Sequence, residues 1–323
     1  MRFDSKSLLL NLRVMRGIPW MWAAIGAFIM WVALGLFAHN LNLESLIATS
    51  TNASFLAIVA LGQMLVITTG GGAIDLSIPN VITLSAFLSA GIASGSNLNA
   101  LCAVPVVILV GAFIGLVNAF TVLFVRIPPI IATLGTGYII TTAVLIYNQH
   151  FTTAYVAPVL MHIARDRLFG MVPLVLLITI AIVILLSFML TQTRYGKSLT
   201  AVGQNLDAAR LTGMPVNLIR GVAYVLCSML AAFGGIMISA QVNGAFLGLG
   251  DPYLLQTVGS VVVGGTLIFG GRAVPLGTLL GSLFLVLLVT AMQVAGLKIG
   301  GQLVAEGFFI ILVLFLATER IRQ

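Results

Sequence analysis

Asp75 and Glu306 are the two acids that fall inside apolar runs of the chain, and chemistry within a membrane would start from them. A carboxylate at that depth can carry a proton, ligate a solute or cap a helix end. Glu306 lies near the outer end of its run and can meet solvent there. Asp75 follows three glycines, Gly70, Gly71 and Gly72, and precedes Ser77 and Pro79. That neighbourhood favours capping, with substrate ligation or proton transfer as the alternative role. A proton-coupled carrier would place more carboxylate or histidine at depth. His39, His150 and His162 fall near or beyond outer helix ends without metal-ligand spacing, and read as interfacial side chains with no metal site. Cys102 and Cys227 lie in apolar runs and read as packing thiols. No nucleophile and base are paired along the chain, so it is not read as an enzyme. GGGAIDLS lacks the Lys-Ser/Thr ending that grips a nucleotide phosphate, so any ATP chemistry belongs to a partner.

The elements that must position these residues follow from composition. The chain has 323 residues, 60% hydrophobic and 7% charged, with mean hydropathy +1.17. This is the composition of a polytopic membrane protein without a soluble domain. Ten spans are read, near 19–38, 46–69, 77–95, 101–125, 130–148, 172–191, 221–240, 253–270, 274–295 and 302–318. An even number puts both termini on one side. With the termini inside, twelve cations face the cytoplasm and Arg165, Arg167 and Lys298 face out, the asymmetry expected of a correctly oriented membrane protein. The net charge of +7 is thereby explained by basic inner loops and does not call for nucleic acid. The N-terminal segment, 1–18, reads as uncleaved and lying on the inner interface through Leu8, Leu9, Leu12 and Met15.

Ten spans divide into five and five, and an odd number per half implies a second half inserted upside down. Gly111/Gly115 and Gly277/Gly281 echo each other, as do the glycine-aspartate breaks at Gly70–Asp75 and Gly248–Asp251. Within hydrocarbon a Gly-Gly-Gly stretch must have its backbone groups satisfied by protein or water, so the first break marks an interrupted helix. Pro79 suits the first turn of the restarting helix, and Asp75 or Ser77 can cap the open N–H groups ahead of it.

The longest inner connection, 192–220, contains Asn205 to Gly213, which reads as a short capped helix. Asn205 is the N-cap, Asp207 complements the positive end of the dipole, Gly213 takes the left-handed terminating position, and Pro215 stops continuation. So short a helix needs a membrane face or another protein to rest on.

TTGGGAIDLSI, AVGQNLDAARLTGM and VVVGGTLIFGGRAVPLGTLLGSL, with IPPIIATLGTGYI as a fourth segment, resemble the permease subunits of bacterial ABC importers for sugars, the ribose type. The likeness spans roughly 55–320. Ile78, Pro79 and Asn80 depart from the family's usual Val-Gly-Ser, and Leu267 stands where Ser is common. The resemblance implies a single permease domain, 1–323, in the bacterial inner membrane, without a cofactor of its own. It implies a partner ATPase using ATP-Mg, often as two fused domains, a soluble binding protein, and a second permease, identical or paralogous. On that footing Asn205, Asp207, Ala208, Ala209, Arg210 and Gly213, helped by Arg194 and Lys197, are expected to dock the ATPase. Gly70, Gly71, Gly72, Asp75, Ser77, Pro79, Gly264, Gly265, Gly270 and Gly271 are expected to form the helix breaks. Gln63, Asn118, Tyr138, Asn243 and Gln256 are expected along the solute path. The competing reading is an ion-coupled carrier working through Asp75 or Glu306.

Overall fold

The computed structural model describes residues 19–37, 43–150 and 155–319. The interfacial segment expected over 1–18, and His39, lie outside the described residues. Thirteen helices are described: α1 (Met21–Phe37), α2 (Leu43–Thr68), α3 (Ile78–Ala93), α4 (Asn97–Leu123), α5 (Pro129–His150), α6 (Pro158–Arg165), α7 (Leu174–Gln192), α8 (Arg194–Gln204), α9 (Leu206–Leu211), α10 (Val216–Val242), α11 (Tyr253–Val263), α12 (Pro275–Val294) and α13 (Ile299–Glu319). A two-stranded antiparallel pair, β1 (Arg167–Leu168) and β2 (Val172–Pro173), links α6 to α7.

Six helices, α2, α4, α5, α7, α10 and α12, are long and apolar enough to cross a membrane, and four shorter apolar helices accompany them. The centre is α2. From Ala53 through Gly70 every residue is buried, because α10, α12 and α11 surround the helix. α10 is the second pillar and also packs on α4 and α3. Hydrophobicity around the whole circumference, rather than one apolar stripe, is what a helix enclosed by other helices requires. Small residues set the closest approaches: Gly111 and Gly115 of α4 abut Ala232, Ser228 and Val225 of α10, the close packing that glycine permits between membrane helices. The second glycine pair, Gly277 and Gly281, instead abuts Gly264 and Ser260 around α11, so the two echoing motifs meet unlike partners.

Two sequence expectations are corrected. The span expected over 253–270 is helical only from Tyr253 to Val263, about 16 Å of rise, which is half a hydrocarbon core. Gly265, Gly270 and Gly271 all adopt positive φ and turn the rest of that segment into a loop. The long inner connection holds two helices, α8 and α9, where one was expected. The helix expected between Asn205 and Gly213 is present as α9, with Asn205 as its N-cap and Gly213 (φ +79°) turning the chain ahead of Pro215.

Candidate functional site: the broken spans and the inner loop

After Thr68 the chain turns through Gly70, Gly71 and Gly72, all at positive φ, and then climbs back beside α2 in extended form until α3 begins at Ile78. The Asp75 amide donates to Gln63 Oε1 at 3.3 Å. Asp75 therefore sits level with a residue five positions before the end of α2, about 8 Å above that end. Three successive amides of this run, those of Asp75, Leu76 and Ser77, find side-chain acceptors. Leu76 N donates to Thr133 Oγ1 at 3.0 Å, and Ser77 N donates to Asp75 Oδ1 at 2.9 Å. Irregular backbone persists at membrane depth because α2 and α5 supply these partners.

The Asp75 carboxylate is the hub. Ser77 Oγ donates to Oδ1 at 2.6 Å. Asn118 Nδ2, from α4, reaches Oδ1 at 3.4 Å and Oδ2 at 3.3 Å and also Ser77 Oγ at 2.9 Å. The Cys227 thiol of α10 adds a further contact. The carboxylate therefore holds the residue just before α3, while the first-turn amides of Asn80 and Val81 bond the Ser77 carbonyl. Ser77 is the N-cap by position, but its side chain makes no cap bond to α3. Gln63 and Asn118, expected along the path, are both fully buried and bonded to this break. Cys227, expected as inert packing, touches the carboxylate, and nothing in its spacing could have disclosed that. Cys102 is exposed on α4. Asp75→Asn should leave stability and uptake near wild type, because an amide oxygen still accepts from Ser77. Asn118→Leu should cost about 1–3 kcal/mol, the penalty for stranding buried acceptors, and should register as a lowered thermal midpoint of the detergent-solubilised protein.

The second break runs from Asn243, the left-handed C-cap of α10, to Pro252. Here the two breaks meet. Gly250 lies against the Pro79 carbonyl so closely that a side chain would collide with it, and its amide donates to Thr83 Oγ1 at 3.1 Å. Between the start of α3, the middle of α5 and the loop ahead of α11 lies a notch of about 140 Å³ lined by Asn80, Thr83, Thr141, Leu145, Gly248 and Asp251, among others. Thr141 Oγ1 donates to Asn80 Oδ1 at 2.8 Å, which leaves the Asn80 amino group available. Asp251 is exposed, and its position two residues ahead of α11 puts it about half a bilayer from Val263. A carboxylate at that depth costs roughly 3 kcal/mol against lipid, so this face meets water or protein. Among the described residues no cation lines the notch. Asn80 is one of the departures noted in the sequence, but the partnership of Thr83, Thr141 and Asp251 required the fold.

The remaining expected path residues lie apart. Tyr138 is 72% exposed on α5, Asn243 is exposed at the end of α10, and Gln256 on α11 partners the buried Glu306 of α13. His162 pairs with Asp166 at 2.9 Å beyond the spans. Of the late glycines, Gly264 abuts Gly277, and Gly270 and Gly271 abut Gly70 and Gln204.

The inner loop is pinned to the membrane part at several points. Asn205 Oδ1 accepts from the amides of Asp207 and Ala208 at 3.1 and 2.9 Å, which starts α9. Asp207 and Arg210 are exposed and 3.6 Å apart; Ala209 is buried and Ala208 is not. Thr193 Oγ1 accepts from Gly196 N and starts α8, the helix that carries Arg194 and Lys197. Tyr195 donates to the Ile219 carbonyl at 3.3 Å, and burial pushes its hydroxyl pKa up, keeping it a neutral donor. Gly203 of α8 packs backbone to backbone against Thr68, Gly70 and Gly271. A path of direct contact thus runs from α9 through α8 to the first break.

Residues 45–318 match the family described as branched-chain amino acid transport system / permease component. The chain belongs to this permease family. The ribose import permease protein RbsC of Escherichia coli K12 is 32% identical over 300 residues, covering 91% of this chain and 90% of the relative. The autoinducer 2 import system permease protein LsrD of Photorhabdus laumondii is 30% identical over 262 residues, 79% of this chain and 78% of the relative. The fructose import permease protein FruG of Bifidobacterium longum is 29% identical over 272 residues, 81% and 79%. The permease is a multi-pass membrane protein and the translocating component of an ATP-driven importer. It is not an enzyme, and the ion-coupled alternative through Asp75 or Glu306 is not favoured.

Proposed function

We propose that the permease passes a neutral polyhydroxylated solute, a sugar, along the open face of α5 and through the notch between its two broken spans. The observation that carries this is the chemistry of the notch: hydroxyl, amide and one carboxylate at mid-depth, with no cation. An amino acid would bring a carboxylate that needs a positive partner or free helix amides. The first-turn amides of α3 and α11 are instead taken by the Ser77, Gly250 and Asp251 carbonyls, and Asp251 would repel an anion. A sugar offers vicinal hydroxyls that Asp251 can accept and Asn80 can donate to. The relatives named for ribose, autoinducer 2 and fructose support the same choice over the amino acid in the family's description.

In this reading ten spans cross the bacterial inner membrane with both termini cytoplasmic. Support comes from the ends at which cations gather: Arg126, Arg210 and Arg220 share one cavity at the inner end, while Arg165 bonds the Gln241 carbonyl at the opposite end of α10. The inverted repeat draws support from paired contacts about α2 and α10. α4 packs on α10 as α12 packs on α2; α3 packs on α10 as α11 packs on α2; and α3 touches α4 and α5 as α11 touches α12 and α13. The opening spans depart from that scheme, α1 packing on α12 and α7 on α2. A cytoplasmic ATPase with ATP-Mg would dock on α9 with help from Arg194 and Lys197, a binding protein would deliver the sugar from outside, and a second permease copy or paralogue would close the path along α5. Proteoliposomes holding the chain, its ATPase and its binding protein test the reading. ATP-dependent uptake of ribose or fructose is expected at least tenfold above leucine. Uptake favouring leucine, or uptake by the chain alone under an ion gradient, would overturn it.

A further inference from the structure

At the inner end of the molecule a cavity of about 660 Å³ opens between the end of α4, the start of α5, the start of α10 and α9. Arg126, Arg210 and Arg220 line it together with Asn217, Gly71 and the Pro128–Pro129 turn. Arg220 is half-buried, and its buried Nε has no hydrogen-bond partner among the described residues. Arg210 has a long contact to the exposed Asp207, and no carboxylate lines the cavity. Three guanidinium groups thus present donors without matching acceptors, which is the chemistry of a site for a phosphate-bearing anion.

The wall above the cavity indicates which one. Leu109, Phe113, Leu116, Phe120 and Phe124 recur at helical spacing along α4 and are each 56–66% exposed. They form an apolar stripe that descends towards Arg126. Fifteen residues of helix give the stripe about 22 Å, longer than the ~15 Å of one leaflet's hydrocarbon. The cavity therefore lies where a lipid headgroup would be, with the stripe where its chains would lie. A second copy of this chain seated symmetrically on the same face would bring like charges together. We infer that Arg126, Arg210 and Arg220 form a binding site for the phosphate of an anionic phospholipid of the inner leaflet, whose acyl chains lie along the Leu109–Phe124 stripe. The excess positive charge selects phosphatidylglycerol over a zwitterionic lipid, since each arginine near a headgroup contributes roughly fivefold in affinity. Such a lipid would touch the membrane core through Gly71 and the inner loop through Arg210, and so bridge the break and the loop.

The test is native mass spectrometry of the full chain, delipidated in detergent, alone and with its ATPase, titrated with phosphatidylglycerol, phosphatidylcholine and inorganic phosphate. Phosphatidylglycerol should bind at least tenfold more tightly than phosphatidylcholine. Arg126→Gln with Arg220→Gln should cut that preference about twenty-fivefold, whereas Arg167→Gln, at the outer end, should keep it. Arg126→Gln alone, at an exposed position, should reduce the preference about fivefold and serves should the double variant misfold. Equal binding of the two lipids by the unaltered chain, or a preference that the double variant leaves undiminished, would overturn the site. Displacement of phosphatidylglycerol by millimolar inorganic phosphate would mark a free-anion site and overturn the lipid assignment.

Discussion

Exchanging the charges on α9, Asp207→Lys with Arg210→Glu, is expected to abolish co-purification of the ATPase while the permease still inserts and folds. The design exploits the geometry of the pair. Asp207 and Arg210 are exposed and 3.6 Å apart at i, i+3 spacing, so the local ion pair is worth no more than about 1 kcal/mol, and reversal retains it in the opposite sense. The N-cap bonds of Asn205 are made by its own side chain to backbone amides and do not involve either charge. What changes is the field presented to a partner. Like-charge contact across an interface costs several kcal/mol, a loss of a hundredfold or more in affinity. ATP-dependent uptake should fall below a tenth of wild type, while elution from a sizing column and the thermal midpoint stay within error. Undiminished co-purification would remove α9 from the docking surface.

Under the proposed docking, movement of α9 has a short route to the notch. α9 is joined to α8 at Asn205, α8 meets the first break through Gly203 and Gly70, and the break is tied to α4 and α5 through Asn118 and Thr133. Every contact on this route is backbone to backbone or a hydrogen bond to a buried group, so displacement of the loop has little slack to absorb it. α5 carries the exposed Tyr138 and Thr141 face. A push on the inner loop can therefore be felt at the notch without any long conduit of side chains, provided the two states differ in their contact with the partner.

Much of this was legible in the chain. The Gly70–Gly72 break, the Asn205 cap, the Gly213 turn and the identity of the apolar runs are local signals, fixed by backbone conformation and hydropathy. The short length of α11 was not legible, because a loop buried among glycines is as apolar as a helix and hydropathy alone does not separate them. α8 escaped notice for the opposite reason: RYGKSLTAVGQ is polar overall and has two glycines, and its apolar face is only the short series Tyr195, Leu199 and Val202, of which Leu199 and Val202 bury against the bundle. The site divided in the same way. Asp75, Ser77, Gln63 and Asn118 could be named singly from their polarity. Their convergence, and the assembly of Asn80, Thr83, Thr141 and Asp251 from three separate stretches, depend on chain crossings between residues as many as 171 apart in sequence.

Gly203→Val is expected to prevent a stable permease, and the comparison with Gly213→Ala says why. A Cβ on Gly203 would collide with the Thr68 carbonyl oxygen and the Gly271 amide nitrogen, two backbone atoms already bonded to each other at 3.0 Å. Neither belongs to a side chain that could rotate away, and Gly70 closes the third side. Relief requires parting α8 from the end of α2 or breaking the loop after α11. Overpacking of this kind costs about 1–3 kcal/mol for a methyl and more for a branched side chain. Gly203→Ala should accordingly lower the thermal midpoint by several degrees, and Gly203→Val should yield aggregated protein or none. Gly213 has the reverse character: its φ is +79° but nothing lies within 4 Å of an added Cβ. Gly213→Ala meets only the backbone cost of about 1 kcal/mol. The two glycines are ten residues apart on one loop, so a difference in fluorescence-detected melting between them isolates packing from conformation. A wild-type melting curve for Gly203→Val would mean that α8 does not rest on the break, and the route from loop to membrane core would have to run elsewhere.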